Sequence, residues 1–277
     1  MANSEGGMRA LIINMASATE RMGFMEAQMA ALGMEWERVE AVTPATLQPS
    51  EGDPVWHRWQ RPMRVTEMAL CASHMVAWER VASLGAPCLV LEDDAVLAAS
   101  LPAFLEAVVG LAGVEHISLE ARGRKKLMGR RLHDGAPIRR LYQDRTGSAA
   151  YVVWPAGAAK LLEHARRAGA PSDALISSTY GMASWQADPA LSVQLDHCEV
   201  YGVPQAIPTK SLIDVVKKPP LAARSAGARF GYRARRVMAQ LRMGWRQIQF
   251  ALVAERRSVG VAEAWVEPRG LEAVGRG

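Results

Sequence analysis

The feature that most constrains the fold is an alternation: short apolar runs, each followed by a stretch with helical spacing, through much of the first two hundred residues. Met8–Asn14 (MRALIIN), Cys88–Leu91 (CLVL) and Ala149–Trp154 (AAYVVW) read as buried strands, with Trp36–Val42 and His116–Leu119 as further strands. Met22, Met25, Met29 and Leu32 recur at helical spacing behind Ser17 or Thr19 as cap and before Gly33 as stop. The spacing also predicts helices over Glu67–Ser83, with Thr66 as N-cap and Gly85 and Pro87 as stops, over Leu101–Leu111 and over Ala156–Ala168. Pro44–Pro62 and the basic stretch Gly123–Gly135 read as loops, and beyond Pro171 only short elements are expected as far as Ile213. Strands alternating with helices predict an α/β domain with a mostly parallel central sheet. In such sheets ligands gather at the carboxyl ends of strands, near a topological switch point.

Charge divides the chain. The net charge is +5, yet eleven Lys/Arg and a single acid, Glu255, fall between Lys217 and Arg257. The remainder is therefore acidic, and two regions are expected, an acidic-leaning body over residues 1–215 and a basic helical tail over 216–277. Phe230, Ala234, Val237, Leu241, Trp245, Ile248 and Leu252 form one apolar stripe on a helix, beside Arg233, Arg235, Arg236, Arg242 and Arg246. Such a helix either lies on an anionic membrane, through residues 229–257, or packs on the domain with its arginines in water. Few aromatic groups accompany the charges, which argues against nucleic acid. Three scattered cysteines, Cys71, Cys88 and Cys198, suit small buried hydrophobes in a reducing compartment rather than disulfides or a zinc site. The polar start and the lack of a long apolar run predict a cytoplasmic protein, at most peripheral on the inner face of the cytoplasmic membrane.

The chemistry-bearing cluster is Glu92-Asp93-Asp94, directly after CLVL. In an extended chain residues two apart face the same side, so Glu92 and Asp94 would project together. Two carboxylates on one side suit Mg²⁺ or Mn²⁺ with phosphate oxygens completing the shell, whereas a plain reading has them capping the next helix or lining a solvated loop. Glu67, Cys71, His74 and Trp78 share one face of the preceding helix, with Ser73 beside it, and an acid and a histidine there do not make a simple core stripe.

Four blocks together resemble glycosyltransferase family 25, the lipooligosaccharide and lipopolysaccharide glycosyltransferases related to collagen galactosyltransferases. They are Ile12-Ile13-Asn14 with Arg21; Glu67 to His74 with Trp78; Leu89 to Asp94; and Gly147 to Tyr151 with Gly157-Ala158, Leu161 and Pro171-Ser172-Asp173. Ala69 stands where the family usually has Gly. The resemblance implies a GT-A-like fold, a UDP-sugar donor carrying galactose or glucose, and Mn²⁺ or Mg²⁺ as cofactor. It casts the acidic block as a DxD-type motif: Asp94 on the metal, Glu92 on the metal through water or on the donor ribose, Asp93 orienting the loop or touching the sugar. Asn14 and Arg21 would lie near the nucleotide, and Glu67, Ser73 and His74 would support the same cleft. Asp173 is the favoured general base over Asp188, Asp196 and His197; the plain alternative is that Ser172 or Asp173 caps a helix. The acceptor would be a glycan or a lipid-linked glycan of the cell surface. The rival reading is a non-catalytic nucleotide-sugar or carbohydrate-binding relative.

Overall fold

The computed structural model describes residues 7–145, 147–208 and 226–267. In chain order its elements are β1 (Ala10–Asn14), α1 (Thr19–Leu32), β2 (Trp36–Glu40), α2 (Val65–Leu84), β3 (Cys88–Glu92), β4 (Ala95–Leu97), α3 (Leu101–Val108), β5 (His116–Ser118), β6 (Lys126–His133) and β7 (Ala136–Gln143). There follow β8 (Ala150–Val153), α4 (Pro155–Arg167), α5 (Ser172–Ser178), β9 (Ser184–Ala187), β10 (Ser192–Gln194), α6 (Cys198–Tyr201), α7 (Ala226–Gln249) and β11 (Ala254–Arg257).

The main sheet runs β11-β6-β7-β9-β5-β8-β3-β1-β2. It is mixed. The parallel order expected from the sequence holds for β2-β1-β3 and for β5 with β9; the other pairings are antiparallel. Alternation along the strands sorts side chains onto two cores. Ala10, Ile12, Leu89 and Leu91 pack with α1 residues Met22, Phe24, Met25 and Met29 on one face. Leu11, Ile13, Cys88 and Val90 pack with α2 residues Met68, Cys71, Trp78 and Val81 on the other. The cysteines are unbridged and buried, as their scatter predicts.

Two helices are set by specific residues. Gly85 ends α2 in the left-handed region, at φ +65°. Gly157 lets α4 approach the strand below: a Cβ there would stand 2.2 Å from the Glu115 carbonyl oxygen. Differences from the sequence reading are local in the first half. The α2 helix starts at Val65 behind Arg64 rather than at Glu67 behind Thr66. The basic stretch read as a loop is strand β6, paired with β7 around Asp134-Gly135.

The C-terminal segment departs further from a helical tail. Its expected start at 216 lies outside the described residues. Helix α7 forms, but the chain then returns as β11, pairs with β6 at the sheet edge, and makes bridges from Val261 to Ala190 and from Trp265 to Ala98. The face of α7 turned to the domain is not the apolar stripe. Arg235 donates to the carbonyls of Trp59 and His57, Arg246 donates to the carbonyl of Tyr142, and Tyr232 is buried. Phe250, just past the helix, stacks on Tyr142. The stripe faces outward, with Trp245 65% and Leu252 92% exposed. No described helix is long and apolar enough to cross a membrane.

Candidate active site

The chain leaves β1 through α1 to β2 on one side, then returns through α2 to β3 on the other. That reversal opens a crevice at the carboxyl ends of β1 and β3. Asn14 ends β1 and Glu92 ends β3, so the acidic block lies at the switch point.

Asp93 and Asp94 form a turn between β3 and β4, so the extended geometry assumed for the triplet stops at Glu92. The three carboxylates fan out to three different elements. Glu92 turns toward α2: its Oε1 accepts from Ser148 Oγ at 2.6 Å and lies 3.2 Å from His74 Nε2. Asp93 turns toward α1: Asn14 Nδ2 donates to Oδ2 at 2.8 Å and Arg21 Nη1 to Oδ1 at 2.9 Å. Asp94 turns toward β10 and accepts from Gln194 Nε2 at 3.3 Å.

Behind Glu92 stands a buried relay. Trp78 Nε1 donates to the Tyr151 hydroxyl at 2.8 Å, and that hydroxyl lies 2.9 Å from His74 Nδ1. The indole can only donate, so Tyr151 accepts from it and gives its own proton to Nδ1. His74 then carries its hydrogen on Nε2 and presents it to Glu92; this tautomer is assigned from the network. On the far side, Ser148 Oγ is 3.0 Å from Ser172 Oγ at the start of α5.

The electrostatics follow. Burial raises the Glu92 carboxyl, but His74, Ser148 and Arg122 together outweigh it and hold it below its ordinary value. Asp94 is pushed up to about 7, first by burial and then by the Glu92 charge. Asp93 is raised by burial, opposed by Arg21 and Asn14. Asp173 is raised by burial and by Glu92, opposed by its hydrogen bond from the Ala174 N–H and by Arg122 and Arg61. It lines a small cavity with His116, Asp144, Gly147 and Tyr180.

The other residues singled out in the sequence have partners of their own. Glu67 accepts from the Arg64 N–H and takes both Nη groups of Arg61 at 2.8 Å, so it caps its own helix and ties down the preceding loop. Ser73 donates to the Ala69 carbonyl and accepts from the Val42 N–H, which fastens α2 to the chain leaving β2. Asp188 pairs with Arg139 and Arg257. Asp196 is paired with His197 at 2.7 Å and lies 3.7 Å from Arg122. At α5, Pro171 occupies the N-cap position, and among the described residues the Asp173 side chain accepts from the Ala174 N–H alone.

The sequence reading passed over Ser148, Gln194, Arg122 and Glu120. Glu120 is fully buried. Its Oε2 accepts from the Ala149 N–H, Oε1 has no hydrogen bond, and Arg122 Nε stands 3.6 Å away. Burial pushes this carboxyl up to about 8. Gly147, at φ +112°, passes so close that a Cβ would meet Glu120 Oε2 at 3.1 Å. An acid just beyond the short run His116–Leu119 was the available signal.

The fold is α/β, with acids at the switch point held by α1, α2 and β10 and a cavity lined by Asp144 and Asp173 beside them. The sequence model of glycosyltransferase family 25 (LPS biosynthesis protein) matches residues 8–176, more than half of the chain, and the chain belongs to that family. The family comprises glycosyltransferases of lipopolysaccharide biosynthesis, which implies a nucleotide-sugar donor and a glycan acceptor. No curated protein matches the chain.

Proposed function

We propose that this chain transfers galactose or glucose from a UDP-sugar to a glycan or lipid-linked acceptor in the assembly of a cell-surface polysaccharide, with Mn²⁺ or Mg²⁺ at Asp94 and Glu92. The observation that carries this reading is the acidic block Glu92-Asp93-Asp94 at the switch point, where the Glu92 charge adds to burial in raising the Asp94 carboxyl.

The donor set fits a divalent cation. Among the described residues Asp94 has one side-chain hydrogen bond, and both bonds to Glu92 fall on Oε1, which leaves Oε2 for a cation or its water. Among the described residues no three His, Cys, Asp or Glu side chains form a ready-made cage. One or two carboxylates with phosphate and water is the usual way such ions are held beside nucleotides. A cation there would neutralise the diphosphate as it leaves.

The chain's own residues do the rest. Asn14 and Arg21 fix Asp93 and so the turn, and act on the donor through it. His74, held by Tyr151 and Trp78, aims Glu92. Asp173 takes the proton of the acceptor hydroxyl; its raised carboxyl is nearer the pH at which a base works well. The outward stripe of α7, in a helix without a single acid, rests on an anionic membrane and keeps the enzyme at the inner face of the cytoplasmic membrane.

Release of UDP from UDP-galactose and UDP-glucose, measured with Mn²⁺ and a glycan acceptor, tests the reading. Release that stops with chelator is the expected result. Release from neither donor would favour a binding-only relative.

A further inference from the structure

Helix α7 does not lie flush on the domain. Between it and the segments 58–60, 144–145, 164–168 and 174–180 runs a groove of ≈ 670 Å³. That size falls within the range of small-ligand sites, about 300–1,000 Å³. Five arginines line the groove: Arg58, Arg145, Arg235, Arg236 and Arg242. The only acid among its lining residues is Asp144, and its Oδ2 is 2.7 Å from the buried Lys126 Nζ.

Two of these arginines are structural. Arg58 donates to the Arg167 carbonyl, and Arg235 pins α7 to the loop carrying His57 and Trp59. The other three are not. Arg145, Arg236 and Arg242 are exposed and make no side-chain hydrogen bond or ion pair among the described residues. Cations held around one recess without counter-charges repel each other, and a bound anion relieves that repulsion. A guanidinium offers a planar fork that matches phosphate or carboxylate oxygens.

The groove also has an address. Asp144, Ser177 and Tyr180 belong both to it and to the cavity that contains Asp173. A molecule in the groove therefore reaches toward the carboxyl cast as base. Trp59 and Tyr180 add apolar surface on which a sugar ring can lie.

We infer that this groove is the acceptor site and that it takes an acidic saccharide, one bearing a phosphate or carboxylate group, with Arg145, Arg236 and Arg242 reading the charge. The inference rests on the transferase reading above, and deepens it by naming the acceptor's chemical class. The arginines read the anion on the sugar; the outward stripe on the opposite face of α7 is a separate surface.

Fluorescently labelled full-length protein titrated with maltotriose phosphate, maltotriose and inorganic phosphate tests it. Tighter binding of the phosphorylated sugar than of either other probe, by about tenfold or 1.4 kcal/mol, is expected. The Arg236→Gln/Arg242→Gln variant should lose that advantage and, in a separate titration, keep wild-type affinity for UDP, which shows that it is folded. Equal binding of maltotriose and its phosphate would overturn the inference, as would inorganic phosphate binding as tightly as the phosphorylated sugar. A variant that loses only its binding to phosphatidylglycerol vesicles would assign these arginines to a lipid surface and overturn it too. Failure of wild-type protein to bind UDP would instead count against the donor reading.

Discussion

Replacing Tyr151 with Phe removes one oxygen from the centre of the relay behind Glu92. That oxygen accepts from Trp78 Nε1 at 2.8 Å and lies 2.9 Å from His74 Nδ1, and all three side chains are buried. The ring itself keeps its packing, so no sizeable cavity forms. Two polar groups lose their partner instead, the indole N–H and the imidazole Nδ1. Each buried group left unpaired costs about 1–3 kcal/mol, so the variant should lose about 2–6 kcal/mol. Against a domain stability of about 5–15 kcal/mol this is a large fraction. Urea unfolding should show a lower midpoint at unchanged slope. A double-mutant cycle adds a second check. Trp78→Phe should cost about 1 kcal/mol less in the Tyr151→Phe background than in wild type, because its N–H has already lost its acceptor. The variant should also turn over more slowly, since His74 is no longer held in the tautomer that aims at Glu92. A stability loss below about 0.5 kcal/mol with additive single mutants would refute the relay.

Three further outcomes follow from other parts of the molecule. Gly157→Ala places a methyl 2.2 Å from the Glu115 carbonyl and should destabilise by about 3 kcal/mol, the upper end of overpacking, while Gly110→Ala, with nothing within 4 Å, should be nearly neutral; thermal unfolding compares the two. Glu120 has a folded pKa of about 8, above its ordinary 4.5, so its contribution to stability is full below pH 4.5 and is lost as pH rises toward 8, by at most about 1.4 kcal/mol per unit. Glu120→Gln should flatten stability across that window, and an unchanged pH profile would contradict the assignment. Leu241→Asp with Trp245→Asp should abolish flotation with phosphatidylglycerol vesicles and leave UDP binding intact, whereas equal flotation of variant and wild type would remove the membrane surface.

The parts legible in the sequence are those set by short-range pattern. The runs MRALIIN, CLVL and AAYVVW become β1, β3 and β8 because apolar residues on both sides of a strand can only suit a doubly covered sheet. Helix α2 carries Trp78 and His74 on one face, and that spacing is what brings both to Tyr151. Partner choice over long distances was not legible. Lys126 read as a solvated loop charge, yet it is buried against Asp144, Gln186 and Ser118, which sit on three other segments. The Asp134-Gly135 pair between two extended stretches was a hairpin signal that the run of basic residues obscured. Periodicity found helix α7 but could not say which face it buries, because arginines binding backbone carbonyls and a Tyr142–Phe250 stack hold it. The division of labour in Glu92-Asp93-Asp94 was hidden for a simpler reason. A turn begins at Asp93, and the carboxylates go to partners 18 to 100 positions away, beyond any local rule of alternation.

The central claim is that Asp94 and Glu92 hold a divalent cation against a UDP-sugar diphosphate. The direct measurement is calorimetric titration of UDP into wild type and Asp94→Asn, each with Mn²⁺ and with chelator. Mn²⁺ should tighten UDP binding to wild type by about tenfold or more, 1.4 kcal/mol, and leave the variant's affinity unchanged. Wild-type binding that is indifferent to Mn²⁺, or a variant that keeps the full gain, would contradict the account.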